Sequence, residues 1–170
     1  MKSKPVIERI NAEKHLRLLG DFSCVKEETM REFLLNDAIE YDLNGEGNTF
    51  LVLDNKKLIA YFTLKCSSVQ IKDDQYDGEI RNIPTIEISK IAVDDNCEGK
   101  GIGKNIMNYI IAMTNKLKEK IAIKYLMVFS ISSAVSFYTY KFKFEEFGEN
   151  YVVYSCSNDD KCTIPLFIVI

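Results

Sequence analysis

The chain has no CxxC pair, a single histidine, and no apolar run near the roughly 20 residues that a membrane span needs. Its five cysteines, Cys24, Cys66, Cys97, Cys156 and Cys162, are odd in number and scattered, which suits a reducing compartment and neither a disulfide framework nor a zinc site. No metal ligand set is expected. His15, the lone histidine, sits in a weak helical pattern and reads as a surface or core residue. Glu8 and Glu13 interrupt the N-terminal apolar residues, so no export signal is expected, and neither is a membrane partner; the expected location is the cytoplasm. An excess of one charge is missing too: a net charge of −3 gives no global attraction for nucleic acid. There is no internal repeat, linker or low-complexity segment. What remains is an ordinary globular composition, 46% apolar and 28% charged over 170 residues, expected to form one domain across residues 1–170.

Along the chain, Pro5 to Ile10 reads as a first strand and Ala12 to Leu19 as a short helix. From Val25 to Tyr41, Met30, Phe33, Leu34 and Ala38 recur at helical spacing among charged residues, which predicts an amphipathic helix. Thr49 to Leu53 and Leu58 to Leu64 flank Asp54-Asn55-Lys56-Lys57 as the arms of an antiparallel hairpin, the second arm running toward Ile71. Lys72 to Pro84 is polar and reads as a long loop. Ile86 to Val93 is a strand, and Ile102, Ile106, Met107, Ile110, Ile111 and Leu117 mark one face of a helix ending among lysines. Tyr125 to Phe129 is apolar enough to be a central strand, completing a βαβ unit. Ser132 or Ser133 is expected to cap a helix carrying Ala134, Phe137 and Tyr138. Phe142 to Phe147, Tyr151 to Ser155 and Thr163 to Ile170 read as closing strands, with a turn at Asn158-Asp159-Asp160-Lys161. The fold class is α/β (α+β), antiparallel first and mixed at the end.

The informative stretch is Asp94-Asp95-Asn96-Cys97-Glu98-Gly99-Lys100-Gly101-Ile102-Gly103-Lys104, where glycines separate a strand from a helix N-terminus. Backbone N–H groups of such a loop can close on a phosphate, and the helix dipole favours its charge. A dinucleotide fingerprint fails because Ile106 stands where its third glycine belongs. A P-loop fails because Glu98 and Asn105 replace its first glycine and its Ser or Thr.

Glu98-Gly99-Lys100-Gly101-Ile102-Gly103, preceded by Ile91-Ala92-Val93 and followed one strand later by Ala134-Val135-Ser136-Phe137-Tyr138, resembles the GNAT superfamily of N-acetyltransferases. That family writes its loop Arg/Gln-x-x-Gly-x-Gly/Ala and carries A-x-x-F-Y on a later helix. The resemblance implies a mixed, mostly antiparallel central sheet of about six or seven strands with about four flanking helices. It also implies acetyl-CoA as cofactor, held by Ile91, Ala92, Val93, Glu98, Gly99, Lys100, Gly101, Ile102, Gly103 and Lys104, with Ser133 and Phe137 contributing. Two residues depart from the pattern. Glu98 stands where the family has Arg or Gln, leaving Lys100, Lys104 and backbone N–H groups to meet the pyrophosphate, and Lys143-Phe144 replaces a Gly-Phe.

Acetylation by direct attack on a thioester needs a neutral primary amine, a polarised carbonyl and a proton for the leaving thiolate. Tyr138 is the candidate donor to the sulfur, and Glu87 the candidate base for the amine, both supported by the resemblance. The acceptor stays open. Phe22-Ser23-Cys24, Phe33-Leu34, Thr49 to Val52 and Ile59 to Leu64 resemble the GNAT branch of toxin–antitoxin toxins that acetylate aminoacyl-tRNA, whose partner would be a ribbon-helix-helix antitoxin. The acidic balance favours a small-molecule or peptide amine instead. A non-catalytic acyl-CoA-binding regulatory module is the third reading, and an exposed C-terminal strand, Leu166 to Ile170, can pair across a homodimer.

Overall fold

The structure is a computed structural model that describes residues 4–73, 78–152 and 163–170. The chain divides into two compact units, residues 1–65 with 89–110, and residues 66–88 with 111–170. Strand order along the hydrogen-bonded ladders is β1 (Val6–Arg9), β2 (Asn48–Asp54), β3 (Lys57–Asp73), β4 (Glu79–Val93), β5 (Tyr125–Ile131), β8 (Thr163–Val169), β6 (Glu145–Glu146), with β7 (Tyr151–Val152) paired to β3, so eight strands stand among the described residues where six to seven were expected.

In the first unit, β1 (Val6–Arg9) pairs antiparallel with β2 (Asn48–Asp54), and β2 with the start of β3 (Lys57–Asp73). Asn55 and Lys56 turn that hairpin with φ of 49° and 66°, the two positive angles that a two-residue turn matched to strand twist demands. Helix α1 (Ala12–Leu19) starts where the Asn11 side chain accepts the Lys14 N–H. The predicted amphipathic helix is real but interrupted. It runs as α2 (Glu28–Glu32), a π turn (Phe33–Asp37) and α3 (Ala38–Leu43), the Ala38 N–H reaching back to the Phe33 carbonyl. Leu19, Phe22, Leu34, Ala38, Leu51, Tyr61 and Ala92 are the centre of a buried apolar cluster. Buried polar groups are also satisfied inside this unit: Asp42 accepts from the Arg9 guanidinium at 2.9 Å and from the Thr49 N–H at 3.0 Å. His15 is not partnerless: Nδ1 accepts the Asn11 N–H at 3.0 Å and Nε2 lies 3.3 Å from Glu8.

In the second unit, β4 (Glu79–Val93) pairs in parallel with β5 (Tyr125–Ile131), Thr85 to Ile88 facing Tyr125 to Val128. β5 continues into antiparallel pairing with β8 (Thr163–Val169), as a central strand should. Of the loop expected over Lys72 to Pro84, residues 74–77 lie outside the described residues, and the described remainder is mostly strand, since β3 reaches Asp73 and β4 begins at Glu79. Its polar composition reflects exposure, because Glu79, Ile80, Arg81 and Asn82 all face solvent. Helix α5 (Val135–Phe142) overruns the strand expected at Phe142, leaving β6 only Glu145–Glu146. Lys143 ends it in the left-handed region, φ 61°. β7 (Tyr151–Val152) pairs with β3, while the turn expected at Asn158 to Lys161 lies outside the described residues. The C-terminal strand is less of an edge than expected: β8 carries β5 on one side and β6 on the other, at Leu166 and Phe167. Tyr125, Phe147, Tyr151 and Phe167 form an aromatic cluster, closest for Phe147 and Phe167 at 4.3 Å.

Helix α4 (Ile102–Lys118) buries Ile106, Met107, Ile110 and Thr114. Leu117, expected on that face, is exposed. No helix among the described residues is long and apolar enough to cross a membrane.

Candidate active site

Asp94 closes β4 and is fully buried; its N–H donates to the Ile59 carbonyl at 3.0 Å. Its carboxylate accepts the Ser23 N–H at 2.9 Å and the Asn96 N–H at 3.0 Å, capping a 3₁₀ turn over Asp95–Cys97. Asp95 accepts the Ser23 hydroxyl at 2.6 Å and the Val25 N–H at 2.9 Å, and these bonds hold its carboxyl below the usual carboxylate range. The segment after α1 is thereby strapped to the glycine loop. Sequence reasoning assigned Asp94 and Asp95 no role, although two adjacent carboxylates directly before the glycines were the available signal.

Past the turn, Gly99 and Gly101 have φ of 72° and 77°, a region other residues enter only under strain. A Cβ built on either meets nothing within 4 Å, so the backbone lies open. The Asn105 N–H bonds the Gly101 carbonyl at 3.1 Å as α4 begins, which leaves the first amides of the helix without intrahelical partners. Open left-handed glycines before a long helix fit a phosphate-bearing ligand. Lys100 turns inward to the Asn96 carbonyl at 2.7 Å, and Lys104 is exposed. Glu98, the misfit anion, pairs with Lys26 at 2.7 Å. Upstream, Ala92 packs into the apolar cluster, while Ile91 and Val93 are half-buried on the alternate side of the strand. Cys97 is buried, as is Cys24, whose thiol is pushed up by burial, away from the character of a reactive thiolate.

The second unit holds the other candidates. Glu87 is 5% exposed and stands opposite Met127 of β5. Thr85 to Ile88 are buried without alternation, as on a strand covered on both faces, so the single face expected for Glu87, Ser89, Ile91 and Val93 is not expressed in burial. Tyr138 on α5 is also 5% exposed, its ring 5.1 Å from Phe137 and 5.6 Å from Phe144. Burial pushes its phenol well above the ordinary tyrosine value, so the hydroxyl keeps its proton at neutral pH. No buried side-chain polar atom among the described residues lacks a partner. Ser133 does not cap α5. A 3₁₀ turn over Ser132–Ala134 intervenes, Ala134 takes the cap position, and Ser133 is exposed. Phe137 is half-buried against Phe142, with Lys141 over its ring at 5.3 Å. No group of side chains suited to a metal ion occurs among the described residues.

Strand, open glycine loop, long helix, parallel strand and tyrosine helix follow one another in the order expected of an acyl-CoA-dependent transferase. The chain belongs to the acetyltransferase (GNAT) domain family, whose model matches residues 18–156. It is an N-acetyltransferase that uses acetyl-CoA. Among relatives, the tRNA-acetylating toxin of Mycobacterium tuberculosis is 21% identical over 124 residues, covering 70% of this chain and 74% of that protein. A mutant of the AtaT toxin superposes with a TM-score of 0.76 at 20% identity, covering 98% of this chain and 89% of that one. AtaT complexed with acetyl-methionyl-tRNAfMet gives 0.75 at 18%, covering 98% and 95%. The mutant AtaT bound to acetyl-CoA and the C-terminus of the antitoxin AtaR gives 0.73 at 18%, covering 98% and 94%.

Proposed function

We propose that this enzyme acetylates the amino group of an aminoacyl-tRNA and acts as the toxin of a toxin–antitoxin pair. The observation that carries the reading is the likeness, over most of the chain, to a tRNA-acetylating toxin and to AtaT. Both units form a single acetyltransferase domain, consistent with one family model that spans them. Acetyl-CoA supplies the activated thioester. The amides of Gly99, Gly101, Ile102 and Gly103, with Lys104, hold its phosphates, and the backbone of Ile91 to Val93 aligns the pantetheine arm as a strand would. Tyr138 Oη holds the proton that the departing sulfur takes, a role its burial supports because the phenol stays protonated. Glu87 takes the proton of the amine, directly or through water; its burial in β4 keeps the carboxylate in place. Phe137 packs beside Tyr138 and fixes its ring. In this reading the protein works in the cytoplasm, its neutralising partner is a ribbon-helix-helix antitoxin, and it forms a homodimer.

The test is transfer of radiolabelled acetyl groups from acetyl-CoA to charged tRNA, to the free amino acids, to polyamines and to peptides. Charged tRNA is expected to be preferred by at least about a hundredfold in kcat/KM, or about 2.7 kcal/mol. Equal or better transfer to a small amine refutes the tRNA reading while leaving the acetyltransferase in place.

A further inference from the structure

The glycine loop carries an anion at the position where its family carries Arg or Gln, yet Glu98 does not stand alone. Its carboxylate is paired with Lys26 Nζ at 2.7 Å. Lys26 is not presented by chance. The residues before it are fixed to the loop by the bonds from Ser23 and Val25 to Asp94 and Asp95, and the Asp95 N–H returns a bond to the Ser23 carbonyl at 3.0 Å. The other cations of the loop differ in their freedom. Lys100 is turned onto the Asn96 carbonyl at 2.7 Å, whereas Lys104 lies within the first turn of α4.

We propose that Lys26, held beside the loop by Glu98, supplies in place of the missing residue at position 98 the cation that attracts the phosphates of the acyl donor. Glu98 then acts as an anchor for a cation brought from another part of the chain, and not as a defect of the site. The side chains of Lys26 and Glu98 are 75% and 46% exposed, so an incoming anion can reach the ammonium without unfolding anything. At this exposure the effect must be salt-sensitive, since such charges are screened over roughly 10 Å at 0.1 M salt. The inference rests on the reading of this loop as the acetyl-CoA site.

The experiment is calorimetric titration with CoA at about 50 mM and about 500 mM salt, on the wild type, Lys26→Ala, and the exchanged pair Lys26→Glu with Glu98→Lys. Lys26→Ala removes the cation and unmasks the carboxylate, and is expected to weaken CoA about three- to tenfold at low salt and much less at high salt. The exchanged pair returns a cation to the loop and is expected to bind within about threefold of wild type. Unchanged affinity in Lys26→Ala overturns the proposal. So does an exchanged pair that binds as weakly as Lys26→Ala, because Lys26 would then act through a contact of its own. A wild type that binds no CoA instead removes the reading of the loop, a distinct failure. Thermal melts should coincide across the three proteins, as both side chains are exposed.

Discussion

Replacing Tyr138 by Phe separates its chemistry from its packing. The ring stays, with its neighbours Phe137 at 5.1 Å and Phe144 at 5.6 Å, and only the hydroxyl is lost. With the ring packing kept, stability is expected to change by less than about 0.5 kcal/mol. Turnover should fall by about 10²- to 10⁴-fold, the usual worth of a positioned proton donor, or about 2.7 to 5.5 kcal/mol of barrier. CoA affinity should stay within about twofold, since no phosphate contact is assigned to this residue. Tyr61 supplies the control. It too is buried with its phenol pushed up, but its hydroxyl donates to the Met30 carbonyl at 2.6 Å. Tyr61→Phe should therefore cost about 1 kcal/mol or more in stability and leave turnover intact. The assays are thiol release from acetyl-CoA with a saturating acceptor, calorimetric CoA binding, and thermal melts. Turnover of Tyr138→Phe within about threefold of wild type refutes the assignment, and so does a loss of turnover matched by a lower melting temperature.

Three further outcomes follow from the geometry. Gly101→Ala should lose about 1 to 2 kcal/mol by chemical denaturation and weaken CoA, entirely from strain at φ 77° because the space around it is open; Gly47→Ala should fail for the opposite reason, its Cβ meeting Tyr41 at 2.6 Å. Lys143→Gly should gain about 0.5 to 1 kcal/mol, read as about 1 to 4 °C in melting temperature, since a glycine sheds the left-handed strain at φ 61° at some entropic cost; no gain would mean that Lys143 is not strained. Stability should fall at both ends of the pH scale. The raised phenols of Tyr61 and Tyr138 stabilise fully below about pH 10 and lose that contribution as pH rises through their folded values. Asp95 and Glu8, held low by Ser23 and Lys14, stabilise above about pH 4 and lose theirs as pH falls through their folded values. Urea titrations across pH test both limbs, and a flat alkaline limb up to about pH 12 refutes the first.

The elements read correctly from sequence are those whose signal is local. Asn55-Lys56 between two β-rich runs specifies its own turn, and the apolar spacing from Ile102 to Ile110 specifies a buried helix face. The failures come from two sources. The β3–β4 extension is polar because both of its faces meet water at Glu79 to Asn82, and alternation has no core there to respond to. The π turn at Phe33–Asp37 adds a residue to a helix whose apolar spacing, Met30, Phe33, Leu34 and Ala38, suits an uninterrupted helix equally well. At the candidate site the glycines, Tyr138 and Glu87 were legible as residue types. The partner of Glu98 was not, because Lys26 lies 72 positions away and only the fold brings it near.

The same distance explains why counting charge along the loop misleads. Between Asp94 and Lys104 the acidic side chains outnumber the basic ones, which argues against an anion site. In the fold each carboxylate is already spent on a donor: Asp94 on the amides of Ser23 and Asn96, Asp95 on Ser23 and Val25, and Glu98 on Lys26. A carboxylate that accepts such bonds projects less of its charge, so in the proposed reading an incoming phosphate would meet amide N–H and lysine at the open face. Asp94 and Asp95 therefore serve the loop by holding its shape, and they do so with groups that the net charge counts against it.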